Sequence, residues 1–433
     1  MDSQPLRGRP GTKALPLADA RAVGGPISLG LLASYLALGL AGWVAATVAL
    51  VVAAPDIAAR ATLAERPVLA THLVALGFLP FAVTGASFHL LPVMLRNDVR
   101  HPTLLKAARP LLGGGFLVAP AIAFEHDALL WLGAGTLAAG LALVLFELLG
   151  LVWRAPGDRR LVVSRVGVAL VVLHVVAALV LGSVVFSRED APFGGVPHER
   201  WLLVHLHLGV IGWLALLIVT VGRTLGPMLA LAPTPPVRQF PLSESSLTVG
   251  LWVLLAGLAV GSEEVELAGG TLVVLALVLF ARLMLRVVRT RRLALEAPLA
   301  HILAGVLFLL QAATLGFLVV GGAVSPYTAI TSYVVLLLLG WAGGVTLGHL
   351  GKLLSLSLWV WWPPGPRPKQ EALYPRRTWL AEAAAFAVGV ELLALAPLVE
   401  NEGIAYAGAA VLLGAAGLAC AGAASTWRSR WPD

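Results

Sequence analysis

HLHLGVIGWLALLIVTVGRTLGPML, residues 205–229, carries a single formal charge, Arg223, towards its end. At about 1.5 Å per residue such a helix exceeds the roughly 30 Å of hydrocarbon in a bilayer, and a run this apolar reads as a membrane span. Its first three residues raise a second question. An imidazole in hydrocarbon is costly and needs a partner, yet His205 and His207 both stand near the start of this run.

The rest of the chain repeats the pattern. Of 433 residues 59% are hydrophobic and 12% charged, and the mean hydropathy is +0.89, which places the chain in the membrane class. Twelve apolar runs are long enough to span, near 25–54, 66–95, 104–124, 128–153, 161–186, 200–230, 245–262, 266–289, 298–323, 329–358, 378–398 and 404–426. The net charge of +7 follows from topology and gives no reason to expect nucleic acid, because the basic residues fall between the spans. Arg96/Arg100/Lys106/Arg109, Arg154/Arg159/Arg160/Arg165, Arg282/Arg286/Arg289/Arg291/Arg292 and Lys352/Arg367/Lys369/Arg376/Arg377 mark every second loop. The alternate loops hold Glu125/Asp127, Glu263/Glu264/Glu266 and Glu400/Glu402, with mixed charge at 56–66 and 188–200. The positive-inside rule then puts both termini in the cytoplasm of a bacterial-type inner membrane.

The expected fold is all-α, an integral membrane bundle of twelve transmembrane helices over residues 25–428. Residues 1–24 read as a cytoplasmic tail and not a cleaved signal, and 361–377 as a Pro-rich cytoplasmic loop. The lone cysteine, Cys420, excludes an internal disulfide framework and a cysteine-ligated cluster. Any function sits inside the bundle, in contact with membrane lipid.

The run at 205–229 has two relatives in the chain, THLVALGFLPFAVTGASFHLLPVML (71–95) and SYVVLLLLGWAGGVTLGHLGKLLSL (332–356). Each holds a Gly-aromatic pair: Gly77-Phe78, Gly212-Trp213 and Gly340-Trp341. They are spans 2, 6 and 10 (near 66–95, 200–230 and 329–358), so the chain reads as a pseudo-threefold bundle of four-helix repeats. Small residues at such spacing also serve close helix packing. Packing alone does not make histidines coincide, yet His72 and His207 share a register and Tyr333 falls where His205 does.

Seven histidines lie within spans. His72, His205 and His207 fall roughly 8–10 Å below the outer surface. His174 is nearer the middle, and His89, His301 and His349 gather towards the cytoplasmic side. Residues two apart on a helix point about 200° apart, so His205 and His207 serve opposite faces and cannot chelate one ion. A haem iron with two axial imidazoles asks for histidines at one depth on facing helices, which His72 and His207 satisfy. For a single histidine the plain alternative is a hydrogen bond to a nearby carbonyl. The inner three read as packing residues, a proton path or a weak second metal site. Glu147, Arg223 and Lys352 read as snorkelling side chains near the cytoplasmic ends, and Glu391 as a partner for an arginine or a proton carrier.

Span 6, with His205-x-His207, Gly212, Gly222 and Pro227-Met228, resembles the haem-bearing helix of subunit I in the haem–copper oxidase superfamily, which includes the nitric oxide reductase large subunits. Span 2, with an early His72 and Leu91-Pro92-Val93-Met94 at its end, is similar to that family's second helix. The chain is also similar to NnrS-type haem–copper membrane proteins at His207, Gly212 and Arg223-Thr-Leu-Gly. The resemblance implies a noncovalent b-type or related haem on His72 and His207, and a second haem or metal centre at His205. It also implies a diatomic gas as ligand (nitric oxide or oxygen) and electrons from a quinol or a cytochrome. Copper would want further histidines, of which His174 is nearest. The chain departs from the family in carrying His-x-His on its sixth span and not its tenth, and in lacking an adjacent His-His pair. Oxidoreductase turnover is therefore left open, and two other classes stand beside it: a twelve-span secondary transporter, and a copper-handling membrane protein without haem.

Overall fold

A computed structural model describes residues 27–156, 164–187, 194–233, 240–363 and 365–430. The expected N-terminal tail, Arg159, Arg160 and Arg188 lie outside them. Among the described residues the secondary structure is helical with no strand, and eleven helices are long and apolar enough to cross a membrane. We number the helices α1 Leu29–Ala58, α2 Glu65–Leu95, α3 Pro102–Leu112, α4 Gly115–Ala123, α5 Asp127–Trp153, α6 Arg165–Ser187 and α7 His198–Ala230. The remainder are α8 Phe240–Val260, α9 Glu263–Thr290, α10 Ala297–Val320, α11 Pro326–Val360, α12 Arg376–Val399 and α13 Glu402–Arg428.

The run expected to be one helix at 104–124 is two, α3 and α4, divided at Gly113-Gly114. Consecutive glycines lose most backbone entropy on becoming helical, and tight turns bridge them: the Gly113 and Gly114 N–H groups donate to Pro110 and Leu111. The pair still follows α5 in order. A Cβ on Gly140 of α5 would meet Leu111 and Leu112, and one on Gly133 would meet Gly114 and Val118.

The three related runs share a feature that composition did not reveal. Each is interrupted by a π-helical stretch, Leu73–Phe78 in α2, Leu208–Ala215 in α7 and Val335–Gly343 in α11. Each stretch contains the Gly-aromatic pair, and the first two begin directly after His72 and His207. A π turn inserts a residue, so the side chains beyond it are rotated about 100° from where a continuous α-helix would place them. The π stretch of α11 packs on those of both α2 and α7. α11 is accordingly the most enclosed span, with 72% of its apolar window buried against 28% for α10.

Small residues allow this closeness. A Cβ on Gly42 of α1 would overlap the backbone of Gly77 and Phe78, inside the α2 π stretch. We expect Gly42→Ala to cost about 1–3 kcal/mol by forcing α1 away. Gly30→Ala, which meets nothing within 4 Å, is expected to leave thermal unfolding of the purified protein unchanged or slightly raised.

Ion pairs tie the loops of one face together. Arg60 Nη1 lies 2.6 Å from Glu400, Arg66 Nε 3.1 Å from Asp56 and Arg200 Nη1 3.9 Å from Glu266. Arg60, Arg66 and Arg200 of the mixed-charge loops are thus neutralised in place on the same face as the acidic loops. The opposite face carries Arg96, Lys106 and Arg286, and we call the two the acidic and the basic side.

Candidate functional site

Near the acidic side α2, α7 and α11 bring four polar rings into the bundle, those of His72, His205, His207 and Tyr333. His72 Nδ1 lies 2.9 Å from the Val68 carbonyl, one turn back on α2. His205 Nδ1 lies 3.0 Å from the Ala178 carbonyl of α6, and Gly182 leaves room for its ring. His207 Nδ1 lies 2.8 Å from the Leu203 carbonyl. A carbonyl only accepts, so in each ring Nδ1–H donates, and in the neutral imidazole Nε2 carries the lone pair. That is the tautomer a metal takes up through Nε2, with the carbonyl fixing the ring plane and raising its basicity.

The three Nε2 atoms then differ. His207 Nε2 accepts from the Tyr333 hydroxyl of α11 at 3.2 Å, the two rings tilted 41° with centroids 5.9 Å apart. His72 and His205 have no protein partner at Nε2 among the described residues, and the two rings stand within electrostatic reach of each other. Both residues are part-buried. His205 and His207 do point to different neighbours, α6 and α11. His207 turns to Tyr333. Tyr333 was visible in the sequence only as the residue in His205's register, and its reach across to His207 was not.

His174 reciprocates along the same seam. Its Nδ1 donates to the Gly212 carbonyl of the α7 π stretch at 3.1 Å, its ring lies 5.6 Å from that of Trp252, and its Nε2 is buried without a partner. The neighbouring arginines on this side, Arg60, Arg66 and Arg200, are engaged by Glu400, Asp56 and Glu266.

Towards the basic side the remaining histidines separate. Ser357 gives its hydroxyl proton to the Leu353 carbonyl at 2.6 Å, so His89 Nε2–H is the donor in the 2.9 Å bond to Ser357 Oγ. His301 Nε2 lies 2.9 Å from Glu382 Oε2, both side chains having no exposed surface, and His301 Nδ1 and Glu382 Oε1 are left without partners. His349 Nδ1 donates to the Val345 carbonyl at 2.6 Å, with His301 in electrostatic reach. Among the described residues no three His, Cys, Asp or Glu side chains converge on a point that could hold a metal ion. The histidine set a copper centre needs is not assembled there.

The residues read as snorkelling are instead buried on partners. Glu147 accepts the backbone N–H groups of Arg100 and His101 at 2.5 and 3.2 Å and lies 3.0 Å from His101 Nδ1. Arg223 Nη1 pairs with Glu244 at 3.1 Å, and Lys352 Nζ with Glu296 at 2.9 Å. Removing such charges from water is tolerable only with hydrogen-bond or charge partners in place: Arg223 and Lys352 each draw an acid from another helix or loop, and Glu147 draws backbone N–H groups and His101. Glu391 meets no arginine; Gln311 Nε2 donates to it at 2.9 Å. Glu244, Glu296 and Glu382 were not singled out in the sequence. An acid near a span end signals nothing until a basic neighbour on another helix is known.

No protein-family model matches the chain, and no curated protein matches it.

Proposed function

We propose that this chain is a multi-pass membrane redox protein that holds a haem between α2 and α7, as a divergent relative of haem–copper oxidase subunit I. The observation that carries this reading is the pair His72 and His205. Both rings are part-buried within a span, both have Nδ1 locked to a carbonyl, and among the described residues neither Nε2 has a protein partner. Imidazole lone pairs without donors inside a span are costly, and ligation of an iron would offset that cost. Such a haem would supply one-electron chemistry, and a second centre beside it would take nitric oxide or oxygen.

The chain's own residues do the rest. The Val68 and Ala178 carbonyls orient the two rings, and the surrounding apolar helices keep water away. Tyr333 holds His207 in a neutral, directed state next to this pair. His174, its Nε2 also vacant, is the one further nitrogen on the α6–α7 seam available to a second centre. Electrons come from a quinol or a cytochrome. The α3–α4 pair, in step with α5 along its length, counts as the twelfth crossing, and the basic side is the cytoplasmic one, with both termini there.

The deciding measurement is the visible spectrum of the purified protein from haem-replete cells, oxidised and dithionite-reduced, with and without carbon monoxide. A sharp low-spin haem spectrum is expected. A colourless protein would end this reading.

A further inference from the structure

Glu147, Glu244, Glu296 and Glu382 all turn inward onto partners, but Glu391 does not. It stands on α12 beside Gln311 of α10, whose carboxamide N–H reaches one carboxylate oxygen at 2.9 Å. Beyond that bond neither side chain has a protein partner among the described residues, and the free oxygen of each is open to the surface. Both residues are half-buried, and their neighbours along the same faces are exposed: Ala384, Val388 and Leu395 on α12, Leu307, Leu310 and Thr314 on α10. The pair thus lies on the outside of the bundle, where lipid covers it. Its depth makes that position costly. α10 and α12 both start on the basic side, where Arg376 Nε donates to the Leu295 carbonyl at 3.0 Å just before Ala297. Gln311 and Glu391 stand roughly 21 and 22 Å along these helices, so they share one height. About 12–14 Å remain to the acidic-side ends, which leaves both groups inside the roughly 30 Å hydrocarbon layer. Water does not reach that depth, and polar atoms left facing lipid there are unfavourable.

The hydrogen-bonding capacity left over is complementary to itself. A carboxamide has two N–H donors, and Glu391 takes only one of those on Gln311. The second N–H is a free donor, and the second oxygen of Glu391 is a free acceptor. α10 and α12 run in the same direction and carry these groups at one height. A half-turn about the membrane normal therefore brings Gln311 of one copy to Glu391 of another, and the reciprocal contact follows by symmetry. The free donor and the free acceptor of each copy are then both met. Polar groups of this kind hold membrane helices together where apolar surface cannot, because lipid is as apolar as leucine. A span from another protein would need its own donor and acceptor at this height, whereas a second copy carries both.

We propose that α10 and α12 form the interface of a twofold homodimer, with Gln311 of each copy donating to Glu391 of the other. The interface lies outside the histidine site and does not depend on a haem near His72.

Sedimentation equilibrium of the purified wild-type protein in density-matched detergent, over a range of protein-to-detergent ratios, reads the assembly directly. A monomer–dimer equilibrium without larger species is expected. Glu391→Leu and Gln311→Leu each remove both symmetric bonds, and each is expected to weaken the dimer about tenfold, the scale of hydrogen bonds between spans. Glu391→Gln keeps an acceptor at this height and is expected to retain the dimer. Gly414→Leu, on the exposed face of α13 with nothing within 4 Å, is expected to leave it unchanged. Thermal unfolding midpoints of the leucine variants separate loss of the contact from loss of the fold. Val388→Trp adds bulk to the exposed face beside the pair and leaves its hydrogen bond in place. It is also expected to weaken the dimer, and it serves where a leucine variant does not fold. A wild type that stays monomeric at every ratio, or that builds an open series of larger species, would overturn the proposal. Unchanged dimer strength in both leucine variants, or in Val388→Trp, would overturn it equally by placing the contact elsewhere.

Discussion

His205→Ala is expected to remove the low-spin haem spectrum, and His72→Ala to do the same, while His207→Ala leaves it largely in place. The asymmetry follows from what each Nε2 already has. His207 Nε2 accepts from Tyr333 at 3.2 Å, whereas His72 and His205 have no partner at Nε2 among the described residues and lie within electrostatic reach of each other. Removing an axial ligand leaves a five-coordinate iron. The expected signature is thus a shift of the remaining pigment to a high-spin, carbon-monoxide-sensitive form, with a haem-to-protein ratio well below that of the wild type. Outer-shell partners of metal ligands typically change affinity 10–100-fold, and a ligand itself should exceed that. Tyr333→Phe provides the complementary measurement. It frees His207 Nε2 without removing a ring, so a spectrum that gains a second low-spin component would place His207 at a neighbouring centre. Loss of the band in His207→Ala with retention in His205→Ala would reverse the assignment, to the pair the family resemblance implies.

Glu382→Ala is expected to be the most destabilising single substitution in the basic half, at about 3 kcal/mol. His301 and Glu382 are fully enclosed and 2.9 Å apart, and their remaining polar atoms already lack partners. Truncating Glu382 leaves a second orphan on His301 and a hole beside Phe386, whose ring centroid is 5.0 Å from that of His301. The backbone gives no relief, because Gly344 and Gly348 of α11 press directly on the same ring. The double variant His301→Leu/Glu382→Leu removes both polar groups together, and such replacements are often neutral or stabilising. Thermal unfolding in detergent checks both. Recovery of the wild-type midpoint in the double variant is expected, and a loss equal to that of Glu382→Ala would show that the pair is held for its polar bond and not its volume. Glu382→Gln, which keeps an acceptor for His301 Nε2–H, is expected to fall between them.

Much of this molecule was legible from the chain because a bilayer reduces the problem to length, hydropathy and charge. Eleven of the twelve expected spans are long helices, and the one that is not, 104–124, breaks at Gly113-Gly114. The three related runs are also alike in structure, although what they share is a π stretch that no helical periodicity announces. The seven intramembrane histidines could be named and sorted by depth from residue counting alone. The vacant Nε2 atoms, and the acids buried against Arg223, Lys352 and His301, could not.

What the sequence determined by itself is the class, the long apolar helices and the position of each histidine along its own helix, since all three are one-dimensional: about 1.5 Å per residue along a helix and the hydropathy of a run. What only the tertiary structure decided is azimuth. Each π insertion turns one half of α2, α7 and α11 by about 100° against the other. Which imidazole faces which helix therefore depends on how the three interrupted helices pack about α11.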